Sequence, residues 1–187
     1  MSLRDLSGEK SDLFTRLANH AVGERKHILI PFVQFEIEKA KSPDRIFGIE
    51  VPNTIKLDDL RPFLDQVVLI AIEFPSFADG RGFSLAKALR ESGFRGQLRA
   101  VGPLIADQFA YALACGFDEV EIPADVAARQ TVEVWQAAAS AYRATYQISH
   151  QPEHRQTAGS ILEQRRNQQY GFNGTAKSVD LGNRCSK

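Results

Sequence analysis

The feature that most constrains this chain is a nearly uninterrupted apolar run, VVLIAIEF, at residues 67–74. A strand with one face in water alternates apolar and polar residues, whereas a continuous apolar run is typical of a strand covered on both faces. Such strands occur mostly in parallel sheets flanked by helices. The run therefore predicts a buried strand of an α/β protein.

Strand and helix patterns alternate on both sides of this run. Further strands are predicted at residues 27–35, 45–51, 97–101 and 119–122. Helical patterns fall at residues 56–64, 84–92, 104–115 and 125–146, and Gly93 and Gly116 are placed to end two of them. Alternating strands and helices predict parallel strands joined by right-handed crossovers. The expected fold class is α/β, a small mostly parallel sheet built from βα units, as an open doubly wound sheet or a partial β/α barrel.

The two ends of the chain differ from the α/β domain, which we place at residues 28–149. Residues 1–27 are polar, and Leu13, Phe14 and Leu17 predict one marginal amphipathic helix in this N-terminal extension. Residues 150–187 are rich in Gln, Asn, Ser, Gly and Arg, with six basic and three acidic residues. Because this segment offers little apolar surface to offset the entropy of ordering, it predicts a flexible basic tail.

Charge and composition exclude several functional classes. The 23 basic and 23 acidic residues give a formal net charge of zero, which argues against a general nucleic-acid binder. No apolar run reaches the length of a membrane-spanning helix, and the N-terminus has no apolar signal core. Two cysteines are too few for a disulfide scaffold, so we expect a cytoplasmic protein with reduced thiols.

In either architecture, ligands bind beyond the carboxyl ends of the strands, which directs attention to residues 75–82 and 102–104. The first segment contains Gly80, Arg81 and Gly82, followed by Ser84 as a possible helix cap. Backbone N–H groups at a helix start favour an anion, and an arginine can clamp one with two hydrogen bonds. These residues therefore predict an anion-binding loop.

The alternative interpretation of this loop is a tight turn in which Arg81 pairs with Asp79 or Glu73. Arg99, in the middle of a predicted strand, is interpreted either as the partner of Glu73 on the neighbouring strand or as a second contact for the anion. Asp107 and Gln108 fall in the first turn of the next helix. Asp107 suits the helix dipole, and either residue could tie that helix to the Arg81 loop.

Other candidate chemistry receives less support. His150 and His154 are four residues apart, but Pro152 between them and the lack of a third ligand argue against a zinc site. Cys115 precedes a capping glycine at a helix C-terminus, which disfavours a thiolate and predicts a buried apolar role. The chain has no cofactor fingerprint, so neither a cofactor nor a metal is expected.

A combined pattern gives the most specific signal. It consists of FPxFxDGRGFS at residues 74–84, LR at 89–90, GxLRAxG at 96–102, DQ at 107–108 and CGFD at 115–118. Over about residues 46–122 the chain resembles the bacterial domain-of-unknown-function family DUF934. Proteins of this family are labelled as oxidoreductases or accessory proteins of sulfite reduction. The resemblance therefore implies a place in assimilatory sulfur metabolism without supplying a mechanism.

Together these observations predict an accessory or anion-binding protein of assimilatory sulfite reduction, whose partner is sulfite reductase or another enzyme of sulfur assimilation. The expected ligand is a small oxyanion. One alternative is a small oxidoreductase whose cofactor comes from a partner or is not recognisable in the sequence. Another is a non-catalytic structural partner that docks through its tail.

Overall fold

The computed structural model describes residues 1–17 and 26–141, and the fold below is that of these residues. They form one curled sheet with helices along its length. The eight strands of the described part, β1 to β8 in chain order, are Ser2–Asp5, Gly8–Lys10, Thr15–Arg16, His27–Pro31, Ile46–Pro52, Leu69–Glu73, Gln97–Val101 and Glu119–Ile122.

Six α-helices connect or flank these strands in the described part. Short 3₁₀ turns at Phe32–Gln34 and Arg61–Phe63 adjoin the first two. The helices α1 to α6 are Phe35–Lys41, Leu57–Leu60, Arg81–Glu91, Ala106–Cys115, Ala124–Arg129 and Val132–Ala141.

The strand order distinguishes between the two predicted architectures. The order is β2-β1-β8-β7-β6-β5-β4-β3, with β3 to β8 parallel and β1 antiparallel to both of its neighbours. A doubly wound sheet reverses its strand order part-way across. Here β3 to β8 follow the chain without reversal, so successive right-handed crossovers place their helices on one face. The sheet is therefore not doubly wound: its parallel strands follow one another across it in a single direction.

The sheet is also strongly curled, as one ion pair across it shows. In a flat sheet, β3 and β8 would lie about 24 Å apart, because five inter-strand steps of about 4.8 Å separate them. Yet Arg16 on β3 donates a hydrogen bond from Nη1 to Glu121 Oε1 on β8, at 2.6 Å. An arginine side chain is far shorter than about 24 Å, so the sheet must curl to bring β3 and β8 close together at its inner face.

The two faces of the sheet differ in chemistry. The outer face packs on helices: the rings of Phe47 and Phe35 lie 5.7 Å apart, and the Arg4 guanidinium lies 5.5 Å from the Trp135 ring. The inner face holds a small apolar cluster together with buried charges. This cluster consists of Phe14, Leu29, Leu69, Ala71 and Val101.

The N-terminal extension is the largest difference from the predicted fold. We expected one marginal helix, but residues 1–17 form β1, β2 and β3 and extend both edges of the sheet. The buried side chain of Phe14 belongs to the inner apolar cluster. The helix prediction was wrong because tertiary contacts of Phe14 and of nearby charges, rather than local periodicity, determine this segment.

Two predicted boundaries are also corrected. The strand predicted at residues 27–35 ends at Pro31, and a 3₁₀ turn and α1 follow it. The long helix predicted at residues 125–146 is broken near Gln130. The carbonyl oxygen of Gln130 accepts a hydrogen bond from Arg4, and its side chain accepts one from the backbone N–H of Ala106. Distant groups therefore stabilise the break. Pro123 occupies the N-cap of α5, and Asp125 lies in its first turn.

Candidate functional site

The start of α3 lies directly beyond the carboxyl end of β6. Phe74, which follows β6, is buried, and its ring fills the space beside Gly82. A Cβ atom on Gly82 would lie 2.4 Å from that ring, so a larger residue would not fit without movement. This close approach brings the first turn of α3 to the carboxyl edge of the sheet.

The first turn of α3 has no acidic residue, and its N-cap residue, Gly80, has no side chain with which to cap it. Ser84, predicted as the cap, lies inside the helix instead, so that part of the prediction was wrong. Phe83 N–H donates to the carbonyl oxygen of Gly80 at 3.1 Å. The neighbouring Asp79, which accepts from the backbone N–H of Arg81, offsets part of the positive end of the helix dipole.

Arg81 pairs with Asp79, as the turn interpretation predicted. Its Nε and Nη2 atoms donate to the two carboxylate oxygens at 2.9 and 2.6 Å, and its side chain is 61% exposed. Asp79 also accepts a longer bond from the backbone N–H of Arg81, at 3.3 Å. The hydrogen bonds from Arg81 hold the pKa of Asp79 well below its ordinary value. Asp79 is therefore an ionised carboxylate that takes up two donors of the Arg81 guanidinium.

Gln108 joins the next helix to this loop. Its Nε2 atom donates to the carbonyl oxygen of Phe77 at 2.7 Å, while its Oε1 atom accepts from the backbone N–H of Ile105 at 3.2 Å. The predicted tie between α4 and the Arg81 loop is confirmed, and Gln108 rather than Asp107 makes it. Asp107 lies in the first turn of α4, as predicted.

Asn53 is a member of this site that sequence analysis missed. It follows β5, is only 5% exposed, and its Nδ2 atom has no hydrogen-bond partner in the described structure. It lies near enough to Asp79 to contribute to the lowered pKa of that carboxyl, after Arg81. Its position at the carboxyl end of a parallel strand was the available signal.

Arg99 belongs to a different part of the molecule, the inner face of the sheet. Arg99 lies on β7, and the parallel register places it between Ala71 on β6 and Glu119 on β8. The prediction that Arg99 pairs with Glu73 was wrong. Glu73 lies on β6 two residues after Ala71, opposite Val101, and is exposed. The register, rather than the order of the strands, decides which carboxylate Arg99 meets.

Three carboxylates surround the guanidinium of Arg99. Its Nε atom donates to Glu119 at 2.7 Å, and its Nη1 atom donates to Asp12 at 2.7 Å and to Glu121 at 3.1 Å. Burial alone would lower the pKa of Arg99, but the hydrogen bonds that Arg99 donates to Asp12 and Glu119, together with the negative charge of Glu119, raise it above its ordinary value. Burial likewise opposes ionisation of Asp12, yet the bonds from Arg99 hold its pKa below the ordinary value.

The N-terminal residues complete this charged cluster. Lys10 Nζ lies 2.6 Å from Glu119, and Arg16 bonds both Glu121 and Glu50. Each buried carboxylate on β8 therefore has two cationic partners, one from β7 and one from the N-terminal extension. Such pairing is what makes buried charges tolerable.

The structure does not bring the two predicted arginines together. Arg81 is exposed at the start of α3, whereas the side chain of Arg99 is 1% exposed and enclosed by carboxylates on the inner face. A second anion contact from Arg99 would require displacing these acids. Of the predicted group, Gly80, Arg81, Gly82, Asp79 and Gln108 share one region of the structure, and Arg99 lies apart from it.

The sequence pattern also matches a described family over more than half of the chain. Residues 48–156 match the family described as bacterial protein of unknown function (DUF934). The chain belongs to this family. Both the α3 start and Arg99 fall within the matched residues, while Lys10, Asp12 and Arg16 precede them. The predicted family is thereby confirmed, and no curated protein matches the sequence.

Two negative findings apply to residues 1–17 and 26–141. Their histidine, cysteine and acidic side chains form no cluster of three or more that could hold a metal ion. Their helices are all too short or too polar to cross a bilayer. His150, His154 and the predicted tail lie outside the described residues.

Proposed function

We propose that this protein is an accessory protein of assimilatory sulfite reduction that binds a small oxyanion at the start of α3. The link to sulfite reduction comes from the labels carried by the family it resembles. The anion-binding part comes from the geometry of Gly80, Arg81 and Gly82. Each part makes its own prediction, so one can fail while the other holds.

One observation supports the anion site above all others: the guanidinium of Arg81 is exposed and held by a single carboxylate, that of Asp79. Because this ion pair is exposed, water and salt screen the attraction between its two charges, so an external anion can compete with Asp79. The positive end of the α3 dipole, whose first turn has no acidic residue, adds to the attraction for the anion. Asp79 thus acts as an internal competitor for the site.

This competition leads to a direct prediction. Replacing Asp79 by asparagine removes the competing charge but keeps the size of the side chain, so sulfite should bind about tenfold more tightly than to the wild type. Adding Arg81→Ala to that variant should abolish the gain. The measurement is calorimetric titration with sulfite at constant ionic strength, with Arg129→Ala, an exposed arginine on α5, as the matched control.

Three results would contradict an anion site at the start of α3. If Asp79→Asn binds sulfite no better than the wild type, or if Arg81→Ala leaves the binding of the Asp79→Asn variant unchanged, the start of α3 is not the anion site. Equal binding by sulfite and chloride would also argue against it, since the proposal requires selection of an oxyanion by paired hydrogen bonds.

A second candidate function is docking onto a partner enzyme, either sulfite reductase or another protein of sulfur assimilation. Phe77 favours it, because this aromatic side chain is 58% exposed in the same loop, whose backbone Gln108 holds. Exposed aromatic residues on positioned loops are frequent anchors of protein interfaces. Docking through residues 150–187 stays a prediction, since those residues lie outside the described structure.

The oxidoreductase alternative requires a bound flavin, nicotinamide or metal, supplied by this chain or by a partner. Such a group would give the purified protein a visible or near-ultraviolet absorbance band or a stoichiometric metal content. The accessory function requires neither, and this difference separates the two hypotheses without an activity assay.

A further inference from the structure

A second cationic region lies at the opposite edge of the sheet, where the parallel strands begin. A cavity of about 340 Å³ opens there between the 3₁₀ turn at Arg61–Phe63 and the connection from α3 to β7. Its volume is at the lower end of the range for small-molecule sites, about 300–1,000 Å³. The residues lining it are Arg61, Leu64, Asp65, Ser92, Gly93, Phe94, Arg95 and Gly96.

The two arginines in this cavity have unused hydrogen-bond donors. Arg95 is exposed and makes no hydrogen bond or ion pair within the described residues. Arg61 donates from Nε to Asp58 at 2.9 Å, which leaves its two Nη groups without a partner in the described structure. A guanidinium with free donors in a concave site is well suited to a phosphate, sulfate or carboxylate group.

The backbone around Gly96 contributes further donors. The N–H groups of Arg95 and Gly96 make no hydrogen bond within the described residues. A Cβ atom on Gly96 would lie 2.4 Å from the Phe94 ring and 2.7 Å from the carbonyl oxygen of Val68, so glycine fits this position best. Arg95 and Gly96, which carry these two N–H groups, both line the cavity.

The negative groups nearby weaken the attraction only in part. The C-terminal end of α3 carries a partial negative charge, but Arg90 donates to the carbonyl oxygens of Phe94 and Gly96 at 2.9 and 2.7 Å. Asp65 is the remaining carboxylate in the lining, and it is exposed to solvent. The lining itself therefore holds two arginines and one carboxylate. Outside it, Asp58 pairs with Arg61 at 2.9 Å and Asp118 pairs with Arg90 at 2.6 Å, which leaves Arg95 as the cation of the lining without an ion pair in the described residues.

We propose that this cavity binds the anionic group of a small molecule, a phosphate, sulfate or carboxylate, between Arg61 and Arg95. The site is separate from the start of α3 and does not depend on the function proposed above. Sequence analysis missed it because Arg61 and Arg95 are 34 positions apart and only the fold brings them to one cavity.

The test is calorimetric titration of the full chain with inorganic phosphate, and in a second series with sulfate, at constant ionic strength. Arg95→Ala and Arg61→Ala should each weaken binding at least about tenfold, the loss expected for a charge-assisted contact. Asp65→Asn should tighten binding, because it removes the opposing charge. Lys87→Ala, an exposed cation on α3 outside the cavity, should bind like the wild type.

Three results would overturn the proposal. They are the absence of saturable binding by both anions, unchanged binding in Arg95→Ala and Arg61→Ala, or a loss of binding confined to Arg81→Ala. The last would place the anion at the start of α3 and support the proposed function instead. All substituted side chains are exposed, so circular dichroism of each variant should match the wild type and confirm that the fold is intact.

Discussion

Replacing Arg99 by methionine should lower the free energy of unfolding by about 3 kcal/mol, the lower part of the range for breaking a buried ion pair. Methionine retains most of the apolar volume but leaves Glu119 and Glu121 short of one cation each. Their side chains are 1% and 4% exposed, so water cannot replace the lost hydrogen bonds. Lys10 and Arg16 still pair with these acids, which is why we do not expect a larger loss.

Urea denaturation measures this change, with stability taken from the midpoint and slope of the transition. The matched control is Arg129→Met, which removes an exposed pair with Asp125 and should cost at most about 1 kcal/mol. If Arg99→Met and Arg129→Met cost the same, the inner cluster does not stabilise the fold as described.

Replacing Gly102 by alanine should destabilise the protein by about 3 kcal/mol or more. Gly102 follows β7 with a φ of 143°, which side-chain-bearing residues rarely adopt, and a Cβ atom there would lie 2.1 Å from the carbonyl oxygen of Phe74. The clash falls on backbone, which cannot rotate away as a side chain could. Relief would require moving the segment that leads into the β6–α3 loop.

Gly93→Ala is the matched control for this prediction. Gly93 also has a positive φ, 97°, but a Cβ atom there would meet no atom within 4 Å. Only backbone strain of about 1 kcal/mol is then expected. Urea denaturation of both variants separates strain from collision, and equal costs would show that the contact with Phe74 is not as close as described.

The strands that the sequence predicted best are those whose apolar runs are bounded by glycine or proline. Strands at residues 97–101 and 119–122 were predicted at their observed bounds, since Gly102 and Pro123 end the patterns. Gly93 and Gly116 end α3 and α4 with φ values of 97° and 118°, as predicted. In these places the local glycine or proline and the tertiary fold set the same boundary for the strand or helix.

The N-terminal strands could not be predicted because their stability comes from residues far away in the chain. Asp12 meets Arg99, 87 positions later, and Arg16 meets Glu121, 105 positions later. Read locally, residues 1–17 are polar with little periodicity. Their charges become informative only once the inner face is known to hold a buried arginine and two buried glutamates.

In the candidate site too, a contact between sequence neighbours could be predicted, and a contact between distant residues could not. The pairing of Arg81 with Asp79 was foreseeable because only one residue separates them in the sequence. The enclosure of Arg99 was not, because strand order is easier to infer than the register that selects Glu119 over Glu73. The two-arginine form of the anion site depended on that register.

The claim that this protein serves sulfite reduction is tested most directly by deleting its gene and growing the bacterium on sulfate, sulfite or sulfide as the sole sulfur source. The proposed function predicts growth on sulfide and impaired growth on both sulfate and sulfite, restored by the wild-type gene. Equal growth of the deletion strain and its parent on all three sources would contradict the proposed function.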